Sequence, residues 1–153
     1  MSATRPNKPM AAAAGLFDQY LVVDWSAANT PARGADSIWI GESARNGRRV
    51  RCARPVNPAT RDEAEALIAA SIARALAQGR RLFAGFDFPF GYPEGAAARI
   101  AGAPCWSALW AFLLGAVRDD ARNRSNRFEV AARLNREVFG EPAYWGRPAS
   151  QPH

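Results

Sequence analysis

Two aspartates follow apolar segments of the chain in the same way. Asp24 follows the run "YLVV" and precedes small polar residues, and Asp87 follows "LFAGF" and precedes "FPFGYP". Carboxylate oxygens are the ligands that Mg²⁺ prefers, so two such residues at neighbouring strand ends would hold a divalent cation. The alternative is structural, because an aspartate at a strand end often accepts backbone N–H groups from the following turn. Without a cation, two adjacent carboxylates would repel, and one would take up a proton.

The pattern between the two aspartates predicts the elements that carry them. Asn46-Gly47 is a strong hairpin signal, because both residues tolerate positive φ. Thr60 and Glu63 form a capping box that begins a helix, and Gly79 ends it. The predicted order is therefore strand, strand, strand, helix, strand, with the strands over residues 19–25, 36–42, 48–55 and 81–88.

This order predicts an α/β fold with a mixed sheet. The first three strands form an antiparallel hairpin unit, so the third strand runs parallel to the first. A right-handed crossover through the helix favours placing the fourth strand beside the first and parallel to it. Asp24 and Asp87 would then lie at the same edge of the sheet, where sites form in α/β proteins.

The C-terminal part of the chain is predicted to be helical. A helix over residues 105–120 would bury one face that includes Trp106 and Trp110, and a second helix begins near Asn126 and continues to residue 139. Residues 1–15 are predicted to be a loose tail and residues 141–153 an irregular one. Because such sheets usually acquire a further strand, we expect the fold to be incomplete at its C-terminus.

Composition restricts the chemistry and the partners. The net charge is +6, but nearly all of the cations are arginines, which makes the charge only weak support for a nucleic-acid partner. The single histidine is His153, the last residue, so we expect chemistry without histidine. Cys52 and Cys105 lack metal-ligand spacing and are predicted to be buried thiols. No apolar run approaches the roughly 20 residues of a membrane span, so we expect a cytoplasmic protein with no membrane partner.

The segments "YLVVDWSA" and "FAGFDFPFGYP" resemble the bacterial domain of unknown function 429, a family of predicted nucleases with a ribonuclease-H-like fold. The resemblance covers about residues 19–139 and implies a ribonuclease-H-like domain over residues 16–140. It implies one acid on the first strand, one on the helix and one at the end of the fourth strand. Asp24 and Asp87 match the strand acids and would be catalytic residues that ligate Mg²⁺ or Mn²⁺.

The resemblance implies a third catalytic acid on the first helix and a further acid from a late helix. Asp62, Glu63 and Glu65 are candidates for the third acid. Glu63 is explained by capping, and Glu65 is preferred because it lies next to the apolar stripe of the helix. Asp119 and Glu129 are the candidates for the late acid, although neither matches a motif.

The predicted activity is metal-dependent hydrolysis of nucleic-acid phosphodiesters, in which two metal ions roughly 4 Å apart activate water and stabilise the leaving oxygen. Ser26, Asn29 and Arg127 are predicted to bind the substrate, but hydrogen bonding within the loop explains the first two equally well. Trp25 could stack on a base, although core packing is favoured.

A second hypothesis is a non-catalytic accessory protein of the same fold that binds a small phosphate-bearing molecule. Some similar bacterial sequences carry labels of cobalamin or molybdopterin biosynthesis, and no residue in this chain supports either label. The sequence leaves open the choice between DNA and RNA, and the oligomeric state.

Overall fold

A computed structural model describes residues 15–26, 28–88 and 91–144. The predicted tails fall largely on residues 1–14 and 145–153, which lie outside the described residues. The strands are β1 (Gln19–Asp24), β2 (Trp39–Asn46), β3 (Arg49–Cys52) and β4 (Leu82–Phe86). The helices are α1 (Arg61–Ala77), α2 (Ala96–Ala101), α3 (Trp106–Ala116) and α4 (Arg127–Leu134), and α4 continues as a π-helical segment, Asn135–Phe139.

The four strands form one mixed sheet in the order β3-β2-β1-β4. β1 pairs antiparallel with β2 and parallel with β4, and β2 pairs antiparallel with β3. The predicted α/β class and the predicted parallel neighbours are therefore confirmed. The last paired residues of β1 and β4 are Val23 and Phe86.

The predicted strand boundaries are wrong in the hairpin. β2 begins three residues later than predicted because Asp36 has a positive φ of 53° and the Ser37 hydroxyl donates to the Gly34 carbonyl at 2.7 Å. That turn keeps residues 36–38 out of the predicted strand. β2 then extends to Asn46, and Gly47 has a φ of 60°, as the predicted hairpin turn requires.

α1 begins and ends where the sequence predicts. The Thr60 hydroxyl accepts the Glu63 N–H at 3.2 Å, and the Glu63 carboxylate accepts the Ala59 N–H at 2.8 Å, one residue earlier than in a standard capping box. Gly79 follows the helix with a φ of 61°, a value that favours glycine. Ala64, Ser71 and Ala75 are buried against the sheet.

The two faces of the sheet differ. Leu21 and Val23 of β1 are buried beneath α1, and Ile40 of β2 joins them in the core. The opposite face, which we call the open face, carries Val22, which is 56% exposed, and Phe83. Because side chains alternate along a strand, every second residue of β1 lies on the open face.

Hydrogen bonds between Asp18 and Arg81 stabilise the parallel pairing of β1 and β4 where both strands begin. The Asp18 carboxylate accepts the backbone N–H of Arg81 at 3.0 Å and its guanidinium at 3.1 Å. These hydrogen bonds lower the pKa of Asp18 from 3.8 to about 2. Asp18 therefore stays ionised and bound to Arg81 over the whole neutral range.

The C-terminal helices differ from the prediction in three respects. α3 ends at Ala116 rather than at residue 120, because Val117 is extended. α2 was not predicted, since only six residues between Gly95 and Gly102 form it. Leu109 is buried in α3, but Trp106 is 74% exposed and Trp110 is 38% exposed, so the predicted burial of both indoles is wrong. Only a narrow stripe of α3 contacts the rest of the described chain.

Cys52 and Cys105 are free, exposed cysteines, which corrects the prediction of buried thiols. Cys52 ends β3, the short edge strand, and Cys105 precedes the first residue of α3, where no helix covers it. Within the described ranges, no helix combines the length and the apolar character that crossing a membrane requires.

Leu21→Ala is expected to lower the free energy of unfolding by about 2–5 kcal/mol, because Leu21 is fully buried and the vacated volume is enclosed by α1 and the sheet. Val22→Ala is the matched control on the open face and is expected to cost about 1 kcal/mol or less. Urea unfolding of both variants measures the difference. Equal losses would contradict the assignment of the two faces.

Candidate functional site

Asp24 and Asp87 lie at the carboxyl ends of the neighbouring strands β1 and β4, at equivalent positions of the pairing. Val23 pairs with Phe86, so the two aspartates lie one residue beyond the last paired position of each strand. Both are exposed. Alternation places Asp24 on the open face with Val22, and it places Asp87 on the same face as Phe83.

Asp87 also has a structural partner. Its Oδ1 accepts the backbone N–H of Trp25 at 2.8 Å, which closes the end of β1 onto the end of β4. This bond joins two neighbouring strands and is therefore structural, but it differs from the expected bond to the turn that follows the aspartate. It leaves the second oxygen of Asp87 and both oxygens of Asp24 for another ligand.

Glu65 lies on the other side of the sheet from Asp24. It belongs to α1, which packs over Leu21 and Val23, and it lines a cavity together with Trp25 and Phe86. The structure therefore brings Asp24 and Asp87 to one face and Glu65 to the opposite one. In the described part of the chain, no group of three or more His, Cys, Asp or Glu side chains could hold a metal ion.

Asp24 and Asp87 alone could hold only a cation whose remaining ligands are waters or substrate oxygens. Mg²⁺ commonly binds through one or two carboxylates and completes its shell with waters and substrate phosphates. Asp24 and Asp87 satisfy that minimum. A pair of metal ions held entirely by protein carboxylates does not fit the described residues.

The loop after Asp24 is held by its own polar side chains. The Ser26 hydroxyl donates to the Asp36 carbonyl at 2.9 Å and accepts the Ala28 N–H at 3.2 Å. Asn29 Oδ1 accepts a bond from the Arg127 guanidinium at 2.8 Å. Asn29 and Arg127 are thus brought together, while Ser26 is engaged within its loop.

Arg61 connects this loop to the segment between α3 and α4. Its side chain is 9% exposed, and its guanidinium forms an ion pair with Asp119 and donates to the carbonyls of Ala28, at 2.8 Å, and Asn123. Asn123 in turn accepts the Arg61 backbone N–H at 2.8 Å and donates to the Thr30 carbonyl at 3.3 Å. One buried cation therefore fixes the loop after β1, the start of α1 and the α3–α4 connection.

Arg127 lies close to the same cluster. Burial lowers the pKa of its guanidinium, the neighbouring positive charge of Arg61 lowers it further, and Asp119 opposes both effects. An arginine nevertheless remains protonated at neutral pH. The site therefore presents a partly desolvated positive charge beside Asn29.

The two candidates for a late acid have other surroundings. Asp119 is paired with Arg61, so its charge is already balanced. Glu129 lines a separate cavity of about 710 Å³ with Arg118, Arg133 and Arg136. Neither lies with Asp24 and Asp87 in a common metal-binding group of the described residues.

One cavity borders the strand ends on the α1 side, and a second cavity adjoins it. The first has a volume of about 530 Å³ and the second about 590 Å³. Both are lined by Glu65, Val117, Asp119 and Arg127, so the second continues the first along α3 and α4. Trp25, Phe86 and Phe88 line only the first cavity.

The sequence analysis missed Arg61 and Asn123, and each carries a signal. Arg61 is the first residue of α1, where the helix dipole disfavours a cation, so a specific partner is expected there. Asn123 has a φ of 65°, a conformation that asparagine tolerates better than most residues. Neither signal identifies a partner more than 50 residues away in the chain.

No protein-family model, no curated protein and no solved structure matches this chain. The resemblance to the domain of unknown function 429 therefore stays a hypothesis that rests on the two quoted motifs. Functional reasoning for this chain depends on its own geometry.

Arg61→Met is expected to lower the free energy of unfolding by about 3 kcal/mol, because it removes one partner of a largely buried ion pair and leaves two carbonyls without a donor. Arg74→Met is the matched control, since it breaks the exposed 2.7 Å pair with Glu42 and is expected to cost about 1 kcal/mol or less. Denaturant unfolding measures both. A loss from Arg61→Met no larger than that of the control would contradict its connecting role.

Proposed function

We propose that the protein is a divalent-metal-dependent phosphodiesterase that acts on nucleic acid, with Asp24 and Asp87 as metal ligands. The observation that carries the proposal is the parallel pairing of β1 and β4, which places two exposed aspartates side by side at the carboxyl edge of the sheet. The order of the strands and the first helix along the chain also agrees with the order that the sequence predicts.

The carboxylates of Asp24 and Asp87 supply oxygen ligands where a cation would be held. A bound Mg²⁺ or Mn²⁺ would supply an activated water and would neutralise charge on the phosphoryl oxygens. The Trp25 N–H binds one carboxylate oxygen of Asp87 and so orients the side chain. The second oxygen is left for a cation. Asp24 is free of such a bond among the described residues and can adjust to the ligand. Glu65 stays a prediction as the third catalytic acid.

Basic side chains line another cavity, whose charge suits a polyanion. Arg118, Arg133 and Arg136 line the cavity of about 710 Å³ between α3 and α4, where Glu129 is the acid in the wall. Arginine binds phosphates through paired hydrogen bonds. This surface supports a nucleic-acid substrate over a small uncharged one.

One observation favours the accessory-protein hypothesis as a second candidate. The Trp25 N–H already occupies one oxygen of Asp87, and the described residues lack a third acid on the open face. In that case the strand ends would bind a phosphate-bearing small molecule without hydrolysing it. Cofactor biosynthesis gains no further support from the fold.

Asp24→Asn is expected to reduce Mg²⁺- or Mn²⁺-dependent cleavage of a mixed panel of DNA and RNA by at least about 100-fold, because even groups that only support a metal ligand contribute 10- to 100-fold. Asp36→Asn is the matched control, since Asp36 is exposed and asparagine tolerates its positive φ. Cleavage that survives in Asp24→Asn would contradict the proposal. Absence of cleavage by the unchanged protein would favour the accessory role.

Substitutions of Asp87 separate its two roles. Asp87→Asn keeps an oxygen that accepts the Trp25 N–H but loses the charge, so it is expected to fold normally and to lose Mn²⁺ binding. Asp87→Ala loses both and is expected to cost about 1 kcal/mol of stability as well, because the solvent-exposed hydrogen bond from the Trp25 N–H is lost. Calorimetric titration with Mn²⁺ and urea unfolding are the measurements. Unchanged Mn²⁺ binding in Asp87→Asn would leave Asp87 only the structural role of accepting the Trp25 N–H.

A further inference from the structure

The cavity of about 530 Å³ beside the strand ends has the size and the walls of a small-molecule site. Trp25 and Phe88 meet edge to face with ring centroids 6.1 Å apart, and Phe86 lies 5.1 Å from Phe88. Ile68 and Val117 complete the apolar wall. These side chains are half-buried, so part of each remains exposed at the cavity.

The charged side chains around this cavity have different partners. Arg61 is paired with Asp119, and Arg127 donates to Asn29. Glu65 lines the cavity and forms no hydrogen bond or ion pair with the residues that the structure describes. An ionised carboxylate accepts hydrogen bonds and donates none.

A ligand that stacks on the aromatic wall and also donates to the exposed Glu65 carboxylate is planar and carries adjacent N–H donors on one edge. A cationic ligand is disfavoured, because the guanidinium groups of Arg61 and Arg127 are also in the wall. Guanine meets both conditions, since it is neutral and its N1–H and its exocyclic amino group point the same way. Adenine, cytosine and uracil lack that pair of donors on one edge.

We infer that this cavity binds a guanine base, which stacks on the wall formed by Trp25, Phe86 and Phe88 while Glu65 accepts its N1–H and amino protons. Aromatic stacking combined with hydrogen bonds to the Watson–Crick edge is the common way in which proteins recognise unpaired bases. The inference rests on the proposed function for its nucleic-acid substrate and adds a base preference to it.

The position of the cavity suits such a preference. Trp25 follows Asp24 and Phe88 follows Asp87, so consecutive residues at each strand end face opposite sides of the sheet. A phosphate held by a cation at the two aspartates on the open side and a base held on the α1 side would straddle one sheet edge. Consecutive Cα atoms are only about 3.8 Å apart, so the two sites adjoin.

The test is calorimetric titration of the full chain with guanosine 5′-monophosphate in EDTA, which requires neither metal nor cleavage. Inosine 5′-monophosphate, which lacks the amino group, is expected to bind at least about tenfold more weakly, because it loses a hydrogen bond to a charged group. Adenosine, cytidine and uridine monophosphates are expected to bind more weakly still.

Glu65→Gln is expected to remove the preference for guanosine over inosine monophosphate, because its amide presents a donor to the amino group. Glu137→Gln, an exposed substitution outside both cavities, is expected to keep the preference. Circular dichroism verifies that both variants fold. Equal binding of all the nucleotides, absence of binding, or an unchanged preference in Glu65→Gln would overturn the inference.

Two further arms identify the source of the base and separate this inference from the proposed function. If a single-stranded oligonucleotide with one guanine binds more tightly than the free nucleotide, the base comes from a strand. If the free nucleotide binds more tightly, the ligand is a free nucleotide. Both results support the inference. Asp24→Asn is expected to keep guanine binding. Guanine binding without any cleavage would contradict only the proposed phosphodiesterase activity. Cleavage without a base preference would contradict only the proposed guanine site.

Discussion

The parallel pairing of β1 with β4 requires a helix to cross over the sheet, because two parallel strands cannot be joined by a tight turn. α1 provides this crossover and buries Leu21 and Val23 as it does so. Both ends of the strand pair are fastened by aspartates. Asp18 binds Arg81 at the start, and Asp87 binds the Trp25 N–H at the finish. The register that these contacts stabilise sets Asp24 beside Asp87.

A second constraint is the burial of Arg61 at the start of α1. A buried guanidinium is tolerated only when its donors are satisfied, and Asp119, Ala28 and Asn123 satisfy them. This requirement ties the loop after β1 to the connection between α3 and α4. The cavity beside the strand ends is consequently walled by elements far apart in the chain, and its shape depends on one ionic contact.

Local signals in the sequence predicted much of the fold. Thr60, Glu63 and Gly79 act within a few residues of themselves, so the limits of α1 could be predicted, as could the turn at Asn46-Gly47. The parallel pairing followed from the handedness of crossovers. The predicted start of β2 is wrong because a positive φ at Asp36 and a turn hydrogen bond from Ser37 determine where the strand begins. The pattern of apolar residues contains no information about either feature.

The site was less predictable than the fold. Asp24 and Asp87 were found because strand ends carry them, but the face that each side chain takes depends on which side α1 covers. Trp106 was expected in the core because it lies on an apolar helical face, yet the described residues provide no element to cover it. Arg61 and Asn123 act across more than 50 residues of chain, and only the folded structure reveals such partners.

The central claim is that Asp24 and Asp87 together hold a divalent cation. Anomalous diffraction from crystals soaked in Mn²⁺ tests it most directly. The account predicts an anomalous peak roughly 2 Å from carboxylate oxygens of both aspartates, on the open face of the sheet. A map without a peak at the strand ends, or with Mn²⁺ bound only at Glu65 and Asp119 on the α1 side, would contradict it.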